Sequence, residues 1–350
     1  MRKIGRPATR AVFRGASVAA TIALCAAAAL GAAISSGRQS QSSSGTEARP
    51  KPHFREVQDE TGRTVRIPLS VRRVVSLAPS LTETLYALGL QDILVGDTDF
   101  CDYPEDARKK HKVGGAKNPN LEEVAALHPD LVLVTKELNR LETVTALEQM
   151  GIPAYATNPN TVEEVVSSTE RLAEVLGSPA SGANLAAQLE RRLADLKQRL
   201  TGVRPKRVLF VVWSEPLIST GQHTFVADAL RHAGAESIVE SRQDWPQVSL
   251  EEVVHLQPDY LVFASSHSEA VAQDVDTLAK RPGWESLGAV KQRKFVVISD
   301  AVNRPAPRIV SAIEDLARQL HPEVFASAPN AAQPNSQSPE QREEVCACAR

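Results

Sequence analysis

The sequence predicts an α/β protein whose body consists of two lobes built on one plan and joined by helices. Three observations lead there. Short β-branched runs alternate with helical patterns, the rhythm of parallel strands and their crossover helices. A twelve-residue block occurs twice, at 121–132 and at 250–261. Two strongly helical stretches stand between the copies. With 350 residues, 42% of them hydrophobic, the chain is long enough for one large or two medium cores.

Taken in order, the first segment is an address. Arg2, Lys3, Arg6, Arg10 and Arg14 precede an Ala-rich apolar run over 16–34, the order that exports a chain with its basic end left in the cytoplasm. A run of about 19 apolar residues just suffices to span a bilayer and exceeds the usual signal core. A cleaved signal peptide and a retained N-terminal membrane anchor over 1–34 therefore both stay open. Leu24 stands where a lipidation signal at Cys25 needs a small residue, which argues against a lipid anchor. Residues 35–52, rich in Ser, Gln, Gly and Arg, read as a disordered tether, and 327–350 as a tail of the same character.

The body then divides into an N-terminal lobe (53–160), connecting helices (161–203) and a C-terminal lobe (204–326). It opens with a strand over 73–77, a helix over 80–88 and a strand over 93–96, with Ser80 and Glu83 spaced as a capping box. Leu121-Glu122-Glu123-Val124, Leu127 and Pro129-Asp130 recur as Leu250-Glu251-Glu252-Val253, Leu256 and Pro258-Asp259. About half the positions of the block match, where chance gives roughly one. In each copy an acidic pair opens a short helix, Pro stops it, Asp leads out and a strand follows. Each glutamate then lies near the carboxyl-end loops of its sheet, where the helix dipole favours it. A matched pair in two lobes points beyond helix-start electrostatics. In the connector, Leu185, Leu189, Leu193 and Leu196 share one face of a helix over 180–200. At 1.5 Å per residue it reaches about 30 Å, and it reads as a rigid spine that permits little opening and closing.

Composition excludes several functions. Forty Lys and Arg against 42 Asp and Glu leave a net charge of -2, so no basic field exists to hold nucleic acid. The eight histidines show no pair on one helical turn, which gives a zinc receptor or hydrolase little support. Neither a Gly-x-Ser-x-Gly elbow nor a Gly-x-Gly-x-x-Gly loop is present. Cys101 is the one cysteine of the body and reads as a small buried hydrophobe.

Four segments carry a resemblance: Arg73 to Glu83, Asp102-Tyr103-Pro104, Gly114-Gly115-Ala116 through Glu122, and Trp245-Pro246-Gln247-Val248-Ser249-Leu250-Glu251. In this order they resemble the helical-backbone (class III) substrate-binding proteins of ABC importers for cobalamin and ferric siderophores. Trp245-Pro246-Gln247, with Ser299-Asp300, Arg304 and Pro307-Arg308, resembles its cobalamin-binding branch. The resemblance implies two Rossmann-like lobes with central sheets, joined by a long rigid backbone helix. It also implies a ligand, cobalamin or a related corrinoid, in the cleft between them. The implied partners are an ABC permease dimer with its cytoplasmic ATPase. The expected protein is a monomeric, non-enzymatic receptor without intrinsic cofactor or metal, in the periplasm or on the outer face of the inner membrane.

Carried over residue by residue, Trp245 falls where a ring meets the corrin, and Asp300 and Arg304 where polar groups meet its amide-bearing rim. Phe100 stands where Tyr is frequent. Ala116 replaces a ring expected at that position, and Trp213 is either a substitute surface or core. Glu122 and Glu251 fall where such receptors meet permease arginines. A ferric siderophore or haem receptor of the same fold is the alternative ligand class, and an envelope α/β enzyme the alternative of another kind.

Overall fold

The computed structural model describes residues 53–264, 277–278 and 280–326. The expected export segment, tether and tail lie outside the described residues. Among those described, no helix is long and apolar enough to cross a membrane.

An antiparallel hairpin, β1 (Phe54–Gln58) and β2 (Thr64–Pro68), precedes the first lobe. That lobe comprises β3 (Val74–Ser76), α1 (Pro79–Ala87), β4 (Leu94–Asp97), β5 (His111–Lys112), α2 (Leu121–Ala126), β6 (Leu131–Thr135), α3 (Leu141–Gln149) and β7 (Ala154–Thr157). Its parallel sheet has the order β5-β4-β3-β6-β7. The helices α4 (Val162–Val175) and α5 (Pro179–Arg199) follow. The second lobe contains β8 (Lys206–Val211), the short hairpin β9 (Trp213–Ser214) and β10 (Leu217–Ile218), α6 (Phe225–His232), β11 (Ala235–Ser237), α7 (Leu250–Leu256), β12 (Tyr260–Ala264) and β13 (Phe295–Ile298). The helix Ile309–Leu320 closes it.

The second parallel sheet runs β11-β8-β12-β13, the same order as β4-β3-β6-β7. The duplication read in the sequence is thus a duplication of topology, and the repeated block is the α2–β6 and α7–β12 unit. Its conserved-looking chemistry has local causes. The Asp130 carboxylate accepts the backbone N–H groups of Arg72 and Arg73, and Asp259 that of Arg207, tying the start of β6 to that of β3 and the start of β12 to that of β8. His128 and Gln257 take left-handed backbone at φ 46° and 45°, the geometry that ends each helix before its Pro.

The central strands are buried almost continuously, and successive residues enter opposite cores, as a sheet covered on both faces requires. Leu131 and Leu133 enter one core of the first lobe, Val132 and Val134 the other; Leu209 and Val211 divide from Val208 and Phe210 in the second. Ser80 and Glu83 do not cap α1, whose N-cap is Ala78 with no side-chain bond; Glu83 is buried and turned to another use.

The spine assigned to 180–200 also needs revision. The leucine stripe of α5 does pack inward, but its buried residues Leu189 and Leu196 enter only the second lobe's core. It is α4 that shares both cores, through Val162, Val165 and Val166 at one end and Leu172, Val175 and Leu176 at the other. The α5 helix lies close against α4 at Gly182, where a Cβ would stand 2.5 Å from that of Ala173. A sequence stripe shows which face is apolar and not which core receives it.

One buried group makes stability pH-dependent. Asp97 ends β4 fully buried; Lys112 donates to its Oδ1 at 2.7 Å, while Oδ2 has no partner. Burial outweighs the Lys112 contact and pushes the carboxyl up to about 6. The folded state then binds this proton more tightly than the unfolded one. The stability it contributes is complete below the ordinary carboxylate range and is lost as pH rises toward 6. Denaturant midpoints for Asp97→Asn and the parent, measured from pH 4 to 7, are expected to differ by a slope of this sign. Parallel profiles would remove Asp97 from the account.

Candidate functional site

The carboxyl ends of the two sheets face a common hollow, the place where open parallel sheets offer their loops to ligands. Thr135 and Glu137 reach it from the end of β6, Thr157 and Asn158 from the end of β7. Val212, Thr224, Phe225, Asp244, Trp245, Asn303 and Pro305 line it from the second lobe. Its empty space, open mouth included, is about 1130 Å³. A second hollow adjoins it, sharing Thr135, Glu137, Asn303 and Pro305 and adding Pro79, Ser80, Leu138, Asp300 and Arg304. The two form one open, connected concavity at the meeting of the lobes.

Trp245 is 47% exposed, an unusual state for so large an apolar ring. Its loop is held by backbone bonds: Ser219 N–H donates to Pro246, Gly221 to Asp244, and Val248 to Leu217. A side chain at Gly221 would strike the Gln243 carbonyl, so glycine permits this close passage. The Trp245 ring is thus set on a wall fixed by its neighbours.

Asp300 and Arg304 line the adjoining hollow, but they are also parts of a clasp between the lobes. Arg304 Nη1 donates to Glu83 Oε1 at 2.8 Å and to Asp102 Oδ1 at 2.7 Å, and its Nη2 lies 3.2 Å from Asp300 Oδ2. Arg308 donates through Nε and Nη2 to both oxygens of Glu83, at 2.9 Å each, and through Nη1 to Asp300 at 3.2 Å. Its guanidinium stands 4.0 Å from the centre of the Tyr103 ring, a cation–π contact. Burial works against the Arg304 charge, yet the bonds from Asp102 and Glu83 hold its pKa above the ordinary arginine value. The same arginine holds Asp102 below the usual carboxylate range against the opposing effect of burial. Sequence reasoning missed Glu83 here because its spacing from Ser80 matched a cap. Asp102-Tyr103-Pro104 was singled out, but without its arginine partners.

The remaining candidates lie elsewhere. Ala116 is buried and absent from the hollow's lining; its carbonyl accepts from Asn139, which also bonds Leu77 and Thr135 and so knots three segments together. Phe100, 63% exposed, sits beside Gly115 and does not line the hollow either. Trp213 is 53% exposed on the β9–β10 hairpin, its Nε1 donating to the Glu215 carbonyl, so it is not core; its neighbour Val212, and not its own ring, lines the hollow. Trp284 is buried.

Glu122 and Glu251 are exposed in the first turns of α2 and α7. Asn120 and Ser249 cap these helices, accepting the N–H groups of Glu123 and Glu252. The Glu251 carboxyl is lowered by its own backbone N–H and by the Ser249 hydroxyl. Glu123 bonds His111 at 2.9 Å.

Residues 74–302 match the family model described as periplasmic binding protein. The vitamin B12-binding protein of Yersinia pestis (strain Pestoides F) is 31% identical over 252 residues, covering 72% of this chain and 87% of that one. The periplasmic vitamin B12 binding protein BtuF of Vibrio cholerae superposes with a TM-score of 0.62 at 26% identity, over 74% of this chain and 99% of that one. The periplasmic heme-binding protein BhuT, in complex with two hemes, gives 0.66 at 26% identity over 73% and 99%. Two parallel sheets of one strand order, a hollow at their shared carboxyl ends and these matches lead to one conclusion: this chain belongs to the periplasmic binding protein family.

Proposed function

We propose that this chain is the exported receptor of an ABC importer that captures cobalamin or a related corrinoid in the inter-lobe hollow and delivers it to a membrane permease. The observation that carries the reading is the half-exposed Trp245 ring on the wall of an open hollow at the carboxyl ends of both sheets. A corrin offers a broad apolar face rimmed by amides, and a fixed indole matches the face while Asn158, Asn303 and Thr157 match the rim. Asp300 and Arg304 would meet that rim from the adjoining hollow. Phe100, Trp213 and Ala116 stand outside the lining and would act only if a bound ligand extended past it. The likeness to a haem-binding structure supports haem as the second reading. No reaction is assigned to the cleft, and the export segment, held as anchor or removed, would leave the body outside the cytoplasm. Titration of the purified body with cobalamin, cobinamide, haemin and a ferric siderophore tests this; corrinoids saturating at one per chain are expected. Preference for haemin would move the assignment to the second reading.

Docking is assigned to Glu122 and Glu251. They occupy the first turns of equivalent helices in two lobes with one strand order, and two separated carboxylates orient a body on a two-fold partner better than one. Arginine suits as the partner because its fork takes a carboxylate through two bonds. Glu122→Ala with Glu251→Ala is expected to leave corrinoid affinity within about twofold while uptake by the importer falls at least tenfold, a loss of about 1.4 kcal/mol or more in docking. Glu123→Ala with Glu252→Ala is expected to do much less. Equal losses from both pairs would reduce the effect to general charge steering.

A further inference from the structure

We propose, building on the reading of the hollow as the ligand site, that Glu137 and Asp244 select ligands by charge, admitting neutral or cationic tetrapyrroles and rejecting those that bring carboxylates to the wall. The two groups come from opposite lobes. Glu137 follows β6 in the first lobe, Asp244 precedes Trp245 in the second, and both line the hollow. A ligand stacked on Trp245 shares the hollow with both.

The positive charges that might offset this pair are committed elsewhere. Arg304 is held by Glu83, Asp102 and Asp300, and Arg308 by Glu83 and Asp300. Neither Glu137 nor Asp244 has a salt bridge among the described residues. His223 is the other lining group able to carry a positive charge. The cleft wall first, and the Asp244 charge second, push the Glu137 carboxyl above its usual range, as an acid pair without a cation should behave. A ligand carboxylate placed there meets two exposed like charges on the wall, whereas an amide at the same place is accepted: its N–H donates to either carboxylate. That is discrimination by repulsion as well as by fit.

The sharpest probes are cyanocobalamin and its monocarboxylic acids, in which one rim amide becomes a carboxylate, measured beside haemin and haemin dimethyl ester. The parent is expected to bind cyanocobalamin at least tenfold more tightly than one or more of the acids. In Glu137→Gln with Asp244→Asn, checked as folded by circular dichroism, that ratio is expected to fall to within about twofold. If every acid binds the parent within twofold of cyanocobalamin, or if the ratio survives in the double variant, the charge assignment fails and the corrinoid reading stands. If the parent binds no corrinoid but prefers the haemin ester to haemin, and the double variant loses that preference, the charge assignment holds and the corrinoid reading fails. Binding of none of these probes overturns both.

Discussion

Glu83→Ala is expected to destabilise the body by about 3 kcal/mol, the largest single effect in this account. The Glu83 side chain is only 2% exposed and its two oxygens serve both guanidiniums of the clasp, which are themselves 18% and 19% exposed. Removing the buried carboxylate takes from both guanidiniums the acceptor they share; Asp102 and Asp300 still balance their charge, and the cost arises mainly from partly desolvated N–H groups left without an acceptor. Exposed ion pairs contribute little, so burial is what makes this one costly to break. Glu83→Ala with Arg304→Met and Arg308→Met should recover part of the loss, since no guanidinium then lacks its shared acceptor, while Asp102 and Asp300, 45% and 25% exposed, can turn to water. Urea denaturation measures both. A cost below about 0.5 kcal/mol for the single variant, within the range of ordinary surface changes, would show that the clasp is not closed in solution.

Trp245→Ala is expected to weaken cobalamin binding at least tenfold while changing the unfolding midpoint little. A well-packed aromatic anchor at the centre of a binding site commonly contributes about 2 kcal/mol or more. The ring is half exposed and belongs to neither core of the second lobe, so its removal opens no cavity there. The separation of the two readouts is the informative part. Isothermal titration and thermal unfolding on the same preparations supply them. Unchanged affinity would take Trp245 out of the site, and a large drop in midpoint would make it a packing residue.

The features legible in the sequence were those set by local pattern. The repeated Glu-Glu, Pro-Asp block revealed the duplicated topology because each residue acts within its own helix–strand unit: the acids at a helix start, Asp130 and Asp259 on adjacent backbone. Trp245, Asp300 and Arg304 were found through a resemblance and do line the connected hollows. What escaped depends on contacts between elements far apart in the chain. Glu83 was read as a cap because its spacing from Ser80 fits one, whereas its partners Arg304 and Arg308 are supplied by the other lobe. Glu137 and Asp244 were not singled out, since neither sits in a motif and only the meeting of two sheets' carboxyl ends brings them to one hollow. The spine was placed on the longer helix because length and amphipathicity are visible in sequence. That α4 divides its apolar residues between two cores is visible only in the fold.

The central claim is that the hollow between the carboxyl ends of the two sheets holds a corrinoid against Trp245. Cobalt provides its own label. Anomalous diffraction from crystals of the body grown with cyanocobalamin is expected to give one cobalt peak per chain, between the Trp245 wall of the second lobe and the Thr135 to Glu137 wall of the first. A cobalt peak outside that hollow, or full ligand occupancy with the Trp245 ring out of contact, would contradict it.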